Sequence, residues 1–140
     1  MAGVLLPLDT SELSRSALPY ALALARALHE PLVLVGVWDR TDQDLGGVLT
    51  AVENEEIERV ALQIYRDELT SVASGCAGVD TVIDVRQGRP ADEILESISE
   101  HRVSVLVIST HGRGGLQRAI WGSVADKLVH ASSVPVLVVR

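Results

Sequence analysis

The chain has 140 residues, a formal net charge of −7 and 47% hydrophobic residues. This length suits one globular domain over residues 1–140, and the acidic balance argues against nucleic acid or an anionic membrane as a partner. Cys76 is the one cysteine, which excludes an internal disulfide, and the N-terminus lacks the basic region of a signal peptide. No apolar run reaches the roughly 20 residues of a membrane helix. We therefore expect a cytoplasmic protein.

Strand and helix patterns alternate from the first residues onward. Residues 3–8, GVLLPL, predict a buried strand, and residues 11–28 predict an amphipathic helix because apolar side chains return every three or four positions. Pro19 predicts a kink in this helix, since proline has no amide donor. Residues 31–39, PLVLVGVWD, predict a strand buried on both faces, as in a parallel sheet. The polar residues 40–48 predict a loop.

The middle of the chain continues the alternation with one more exposed strand. The helical period returns over residues 49–72. Residues 78–88, GVDTVIDVRQG, alternate apolar and charged side chains, which predicts a half-exposed strand at a sheet edge. Pro90 opens the next helix at a position where its missing amide does no harm.

The last third predicts a strand, a helix and a strand. Residues 103–109, VSVLVIS, form the fourth strand, Ser123 caps the fourth main helix, and residues 134–140 form the fifth strand. Regular alternation of this kind predicts an α/β fold: a doubly wound parallel sheet of five strands with helices on both faces. In such sheets ligands bind beyond the carboxyl ends of the strands, where the strand order reverses.

A glycine-rich link follows the fourth strand at this edge. Residues 109–123 read STHGRGGLQRAIWGS and include four glycines. Glycines let an anion approach backbone amides closely, and a helix N-terminus adds unpaired donors. The link could wrap a phosphate chain, with the Ser123 hydroxyl as a donor and Arg113 or Arg118 as a charge; alternatively, its glycines only make turns. A Walker A loop is excluded because Lys127, the one lysine, does not follow a glycine.

The spacing within this link resembles the nucleotide-binding motif of the universal stress protein family. That motif is Gly, two residues, Gly, nine residues, then Gly with Ser or Thr; here Gly112 is followed by nine residues and then by Gly122 and Ser123. VLLPLDTSELSRSALPYALALARAL, GRPADEIL and SVPVLVVR resemble flanking blocks in the family's order, so the resemblance covers nearly the whole chain. It implies a Rossmann-like fold of the adenine-nucleotide α-hydrolase type.

One position departs from the motif, since Ser109 stands where the family has its first glycine. If that position requires a positive φ, nucleotide binding is weakened, because serine is strained there. If only a small side chain or the amide matters, serine serves, and its hydroxyl adds a contact.

The resemblance also implies a ligand and its contacts. The ligand is ATP, or ADP or AMP, with Mg²⁺ or Mn²⁺ held mainly by the phosphates. Pro7, Leu8 and Asp9 meet the adenine and ribose, Asp9 by a hydrogen bond to a ribose hydroxyl, and Val37 contacts the adenine. The phosphates are surrounded by residues of the glycine-rich link and the helix that follows it: Ser109, His111, Gly112, Arg113, Gly122, Ser123 and Val124. In this family the C-terminal strand commonly pairs with its twin in a homodimer.

These observations predict an ATP-binding module in stress response or signalling, with at most slow ATP hydrolysis. We assign no catalytic residue, because the sequence shows no Walker lysine and no carboxylate pair for phosphoryl chemistry. Two alternatives stay open: a dimeric family member that binds no nucleotide, which Ser109 favours, and a slow nucleotide hydrolase that uses His111. Asp9 also has a simpler interpretation as a helix cap.

Overall fold

The computed structural model describes residues 2–39, 51–110 and 118–140. The loop predicted at 40–48 and the site residues His111, Gly112 and Arg113 lie outside the described residues. In chain order the elements are β1 (Gly3–Pro7), a 3₁₀ helix (Leu13–Ala17), α1 (Leu18–Leu28), β2 (Leu32–Trp38), α2 (Ala51–Ser74), β3 (Thr81–Gln87), α3 (Pro90–Glu100), β4 (Val103–Ser109), α4 (Arg118–Ala131) and β5 (Val136–Val139).

The five strands form one sheet in the order β3-β2-β1-β4-β5, and every neighbouring pair is parallel. Helices α1 and α2 pack on one face, whereas α3 and α4 pack on the other. This arrangement confirms the predicted doubly wound α/β fold. It also confirms the edge position predicted for residues 78–88, because β3 is the outermost strand on its side.

The core consists of two apolar layers, one on each face of the sheet. Successive residues of a strand point to opposite faces, so Leu6 lies in one layer and its neighbour Leu5 in the other. Full burial of each such side chain contributes about 1.5–3 kcal/mol. The helices complete the layers with Ala21, Ala25 and Leu69 on the first face and Ile94, Ile98 and Leu128 on the second.

The first helical segment differs from the prediction of one helix over residues 11–28. A 3₁₀ helix over Leu13–Ala17 precedes α1, which begins only at Leu18. Pro19 therefore lies in the first turn of α1, where the amides have no partner within the helix. The predicted kink is wrong for this reason, because the missing donor of Pro19 removes no helical hydrogen bond.

The start of α4 also differs from the prediction. In the described residues α4 already includes residues 118–122, so Ser123 lies inside the helix and is not its N-cap. Residues 118–121 form one more helical turn ahead of Gly122. A glycine inside a helix costs about 1 kcal/mol relative to alanine, which is too little to end a helix whose other positions favour it.

Among the described helices, none combines the length and the apolar character needed to span a membrane.

A close approach of α2 to β2 depends on Gly36. A Cβ atom at this position would lie 2.7 Å from Tyr65 Cδ1 and 3.3 Å from Leu69 Cδ1. Both side chains belong to α2, which covers β2 and carries the buried Leu69 of the first core layer. A side chain at position 36 would therefore push α2 away from the sheet.

We expect Gly36→Ala to lower the free energy of unfolding by roughly 1–3 kcal/mol, the range for overpacking a filled core. Urea denaturation measures this change. Gly75→Ala is the matched control, because Gly75 is exposed and a Cβ there would make only an ordinary 3.5 Å contact with the carbonyl of Val72. The control should change stability by less than about 0.5 kcal/mol. Equal losses in the two variants would contradict the packing argument.

Candidate functional site

The strand order reverses between β1 and β4. The chain leaves β1 through helices on one face, and it leaves β4 toward α4 on the other, although the two strands are neighbours. In α/β sheets such a reversal marks the candidate ligand crevice, at the carboxyl edge of the sheet. Pro7 ends β1, Val37 lies next to the end of β2, and Ser109 ends β4. The predicted site residues of these strands therefore share one edge.

Asp9 is held in a tight turn directly after β1. Its Oδ1 atom accepts hydrogen bonds from the Ser11 amide at 2.8 Å and from the Ser11 hydroxyl at 2.5 Å. The buried Ser14 hydroxyl is 3.2 Å from the Asp9 carbonyl and donates to the Ser11 carbonyl at 2.8 Å. The N-cap position of the 3₁₀ helix belongs to Glu12. Asp9 thus closes the turn before the helix and is not its cap.

Ser109 is accommodated without backbone strain. Among the described non-glycine residues, the positive φ angles belong to His29 and Arg102, so Ser109 has an ordinary negative φ. Its side chain is 1% exposed, and its hydroxyl oxygen lies 2.6 Å from the hydroxyl oxygen of Ser16. Serine at position 109 therefore causes no positive-φ strain in this fold.

Sequence reasoning missed the partner of Ser109. Ser16 lies 93 positions away in the chain, in the 3₁₀ helix that follows β1. A single serine within a helical pattern carries no signal for such a contact. Only the pairing of β1 with β4 brings these two hydroxyls together.

The other predicted site residues divide into buried and exposed ones. Leu8 is buried, and its amide donates to the carbonyl of Val35 in β2 at 2.8 Å. Val37 and Val124 are half-buried and pack against the core layer of α3 and α4. Gly122 and Ser123 are exposed on α4.

A second polar cluster joins β3 to α3, away from the crevice. The Oδ2 atom of Asp84 accepts from Arg86 Nε at 2.8 Å and from the Ser97 hydroxyl at 2.7 Å, and it lies 3.0 Å from His101 Nε2. Burial tends to raise the pKa of Asp84. The hydrogen bonds from Arg86 and Ser97 and the charge of Arg86 outweigh burial, so this pKa is lowered.

The same cluster has the composition of a metal site. Within the described ranges, Asp84, Glu100 and His101 are the one group of potential ligands close enough to share an ion. The guanidinium of Arg86 bridges the first two, since it pairs with Asp84 and also with Glu100. Both carboxylates therefore already have a cationic side chain as a partner. They also lie where α3 ends, and not at the carboxyl edge of the sheet.

The sequence as a whole matches a known protein family. Residues 2–140 match the Universal stress protein family. The chain belongs to this family. Universal stress protein YxiE of Bacillus subtilis is 30% identical over 146 residues, which cover 98% of this chain and 97% of YxiE. The family resemblance predicted from the glycine spacing and its flanking blocks is confirmed.

Solved structures agree with this universal stress protein in fold. UspA from Lactobacillus plantarum has a TM-score of 0.82 at 18% identity, covering 99% of this chain and 97% of UspA. A universal stress protein in complex with cAMP has a TM-score of 0.68 at 22% identity, covering 99% and 96% of the two chains. The universal stress protein from Archaeoglobus fulgidus in complex with dAMP has a TM-score of 0.60 at 19% identity, covering 100% and 98%.

The lowered pKa of Asp84 indicates that its negative charge stabilises the fold of this universal stress protein. Asp84→Asn keeps the shape but removes the charge, so we expect a loss of roughly 1–3 kcal/mol in the free energy of unfolding at pH 7. An aspartate whose pKa in the folded state lies below its ordinary value of about 3.9 stabilises the fold at pH values above about 3.9. This stabilisation is lost as the pH falls through the pKa of the folded state. The difference between wild type and variant should therefore shrink in acid.

Urea denaturation at pH 7, 5 and 3 measures this difference. Asp80→Asn is the control, because Asp80 lies just before the same strand and is exposed. The control should change stability by less than about 0.5 kcal/mol at pH 7. A difference for Asp84→Asn that grows toward acidic pH would contradict a lowered pKa for the Asp84 carboxyl.

Proposed function

We propose that this chain binds an adenine nucleotide, ATP or alternatively ADP or AMP, in the crevice between β1 and β4. The observation that carries the proposal is the placement of Asp9 and Ser109 at the one point where the strand order reverses, with their segments joined by the Ser16 hydroxyl. Two family members of the same fold are named as complexes with cAMP and with dAMP, and these names support an adenine nucleotide as the ligand class.

The end of β1 supplies the nucleoside contacts of this proposal. Asp9 accepts a hydrogen bond from a ribose hydroxyl, and the turn made with Ser11 holds its carboxylate for that role. A charged acceptor makes a hydrogen bond of about twice the strength of a neutral one. Pro7, Leu8 and Val37 line the adenine side, where the ends of β1 and β2 meet.

The phosphates lie on the β4 side of the crevice in this proposal. Ser109 begins the phosphate-binding segment, and the first turn of α4 contributes a helix N-terminus with its favourable dipole. Mg²⁺ or Mn²⁺ is held mainly by phosphate oxygens. The remaining contacts come from His111, Gly112, Arg113, Gly122, Ser123 and Val124.

The proposed role is a nucleotide-binding module of one domain, residues 1–140, that acts in the cytoplasm in stress response or signalling. Efficient phosphoryl transfer needs a positioned water or base and charge stabilisation around the transferred group. We therefore propose at most slow ATP hydrolysis and assign no catalytic residue.

Calorimetric titration with ATP and Mg²⁺ tests the proposal. The wild-type chain should bind, and Asp9→Ala should weaken binding by about tenfold, or 1.4 kcal/mol, because a charged hydrogen bond to the ribose is lost. Asp9→Asn keeps an oxygen that can accept from Ser11, so its affinity for ATP should lie between those of the wild type and Asp9→Ala. Asp80→Asn, an acidic residue next to the amino end of β3, should bind as the wild type does.

Absence of binding heat and of a thermal shift at millimolar ATP would leave the alternative of a family member that binds no nucleotide. Phosphate release that His111→Ala abolishes, with ATP affinity retained, would instead favour the hydrolase alternative.

We also propose that the chain forms a homodimer through β5. This strand lies at the edge of the sheet, so one side of its backbone pairs with no strand of residues 2–39, 51–110 or 118–140. Leu137 is 37% exposed and Val138 is 41% exposed. An uncovered apolar edge strand invites pairing with another chain, and a twin strand related by a two-fold axis satisfies both copies at once.

Light scattering of the wild type should give twice the mass of one chain. Val138→Lys places a charge in the proposed interface and should shift the protein to the monomer. Val82→Lys is the matched control, since Val82 is 36% exposed on the opposite edge strand β3. A monomeric wild type, or equal effects of the two lysines, would exclude the β5 interface.

A further inference from the structure

We propose that the paired hydroxyls of Ser16 and Ser109 position the two sides of the crevice and thereby set the affinity for the phosphate end of the nucleotide. This inference rests on the proposed function, and it assigns Ser16 a role that neither the glycine spacing nor the flanking blocks indicate. Ser16 is a positioning residue: its hydroxyl acts through Ser109.

The contact crosses the point where the strand order reverses. Ser109 Oγ and Ser16 Oγ are 2.6 Å apart, and the Ser109 side chain is buried. Ser109 is the last residue of β4 and precedes the glycine-rich link, whereas Ser16 lies in the 3₁₀ helix after β1. A hydrogen bond at this place fixes the distance between the β1 side and the β4 side of the crevice.

Short-range hydrogen bonds within the segment that carries Ser16 hold the turn around Asp9. The Ser14 amide donates to the Ser11 hydroxyl at 3.3 Å, and the Ser14 hydroxyl donates to the Ser11 carbonyl at 2.8 Å. The Ser11 amide and hydroxyl in turn donate to the Asp9 carboxylate. Ser16 belongs to the same 3₁₀ helix as Ser14. The Asp9 carboxylate proposed for the ribose is thus held directly by Ser11, so that loss of the contact between Ser16 and Ser109 leaves the ribose contact in place.

A glycine at position 109 could not make this contact, because it has no hydroxyl. Glycine would also allow the end of β4 many more backbone conformations. Serine replaces that freedom with one fixed arrangement, and a site ordered before its ligand arrives loses less entropy on binding. The departure from the motif at this position therefore favours binding in this chain.

A double-mutant cycle measures the coupling. Ser16→Ala and Ser109→Ala should each weaken Mg²⁺-ATP binding three- to tenfold, and the double variant should be no weaker than the weaker single variant. Adenosine lacks the phosphates, so its affinity should change less than twofold in all three. Ser109→Gly should also weaken ATP binding. Ser16→Thr keeps a hydroxyl and should restore wild-type affinity within twofold.

Ser104→Ala is the matched control, since Ser104 also lies in β4 and its hydroxyl donates to the Gly3 carbonyl near the start of both strands. It should change ATP affinity less than twofold. Additive losses from the two serine variants, equal losses for adenosine and ATP, or tighter ATP binding by Ser109→Gly would each overturn the proposal.

A second measurement on the ligand-free protein separates this proposal from the proposed function. The two single variants should speed hydrogen exchange of the Ser14 amide by the same factor, and the double variant should add nothing further. Additive rates would overturn the hydroxyl contact whether or not ATP binds. If the exchange rates of the variants are coupled but the wild-type protein binds no ATP, the contact stands. The positioning role is then overturned together with the proposed function.

Discussion

The central position of β1 is the constraint on which the rest of this structure depends. β1 pairs with β2 on one side and with β4 on the other, and it is buried on both faces. Its apolar residues can satisfy this burial only because each core layer is closed by two helices. The candidate crevice is located where the chain leaves β1 and β4 toward opposite faces of the sheet.

The segment after β1 gives the carboxyl edge of the sheet a fixed local structure. Serine and aspartate side chains compete with a helix for backbone hydrogen bonds, so they favour turns and helix starts over helix interiors. Here those bonds form a compact turn around Asp9 and a 3₁₀ helix that reaches β4 through Ser16. The polar side chains therefore hold the edge of the sheet together at the same place where apolar packing ends.

The outer edge of the sheet is stabilised in a different way. β3 has one apolar side, which faces α2, and one polar side, on which Asp84 and Arg86 meet α3. Charges that are partly removed from water are tolerated because each has several partners. The charged residues of β3 hold this strand against α3. Charges at a sheet edge also disfavour pairing with the strands of other chains.

The sequence by itself determined the strands, most of the helices, the exposed character of β3 and the family, because each of these depends on periodicity or spacing within a short stretch. It located the crevice through a general rule of parallel sheets, and this placed Asp9 and Ser109 at one edge correctly.

Tertiary structure alone decided the strand order, the helical structure of α4 ahead of Gly122 and the contact of Ser16 with Ser109. Local patterns are silent on these features, because they depend on which distant segments become neighbours. The amino end of α4 shows the same limit. Gly122 predicts a helix boundary in the sequence, but the helix continues through it because the surrounding turns are stable. Two hydroxyls 93 residues apart become partners only after β1 and β4 have paired.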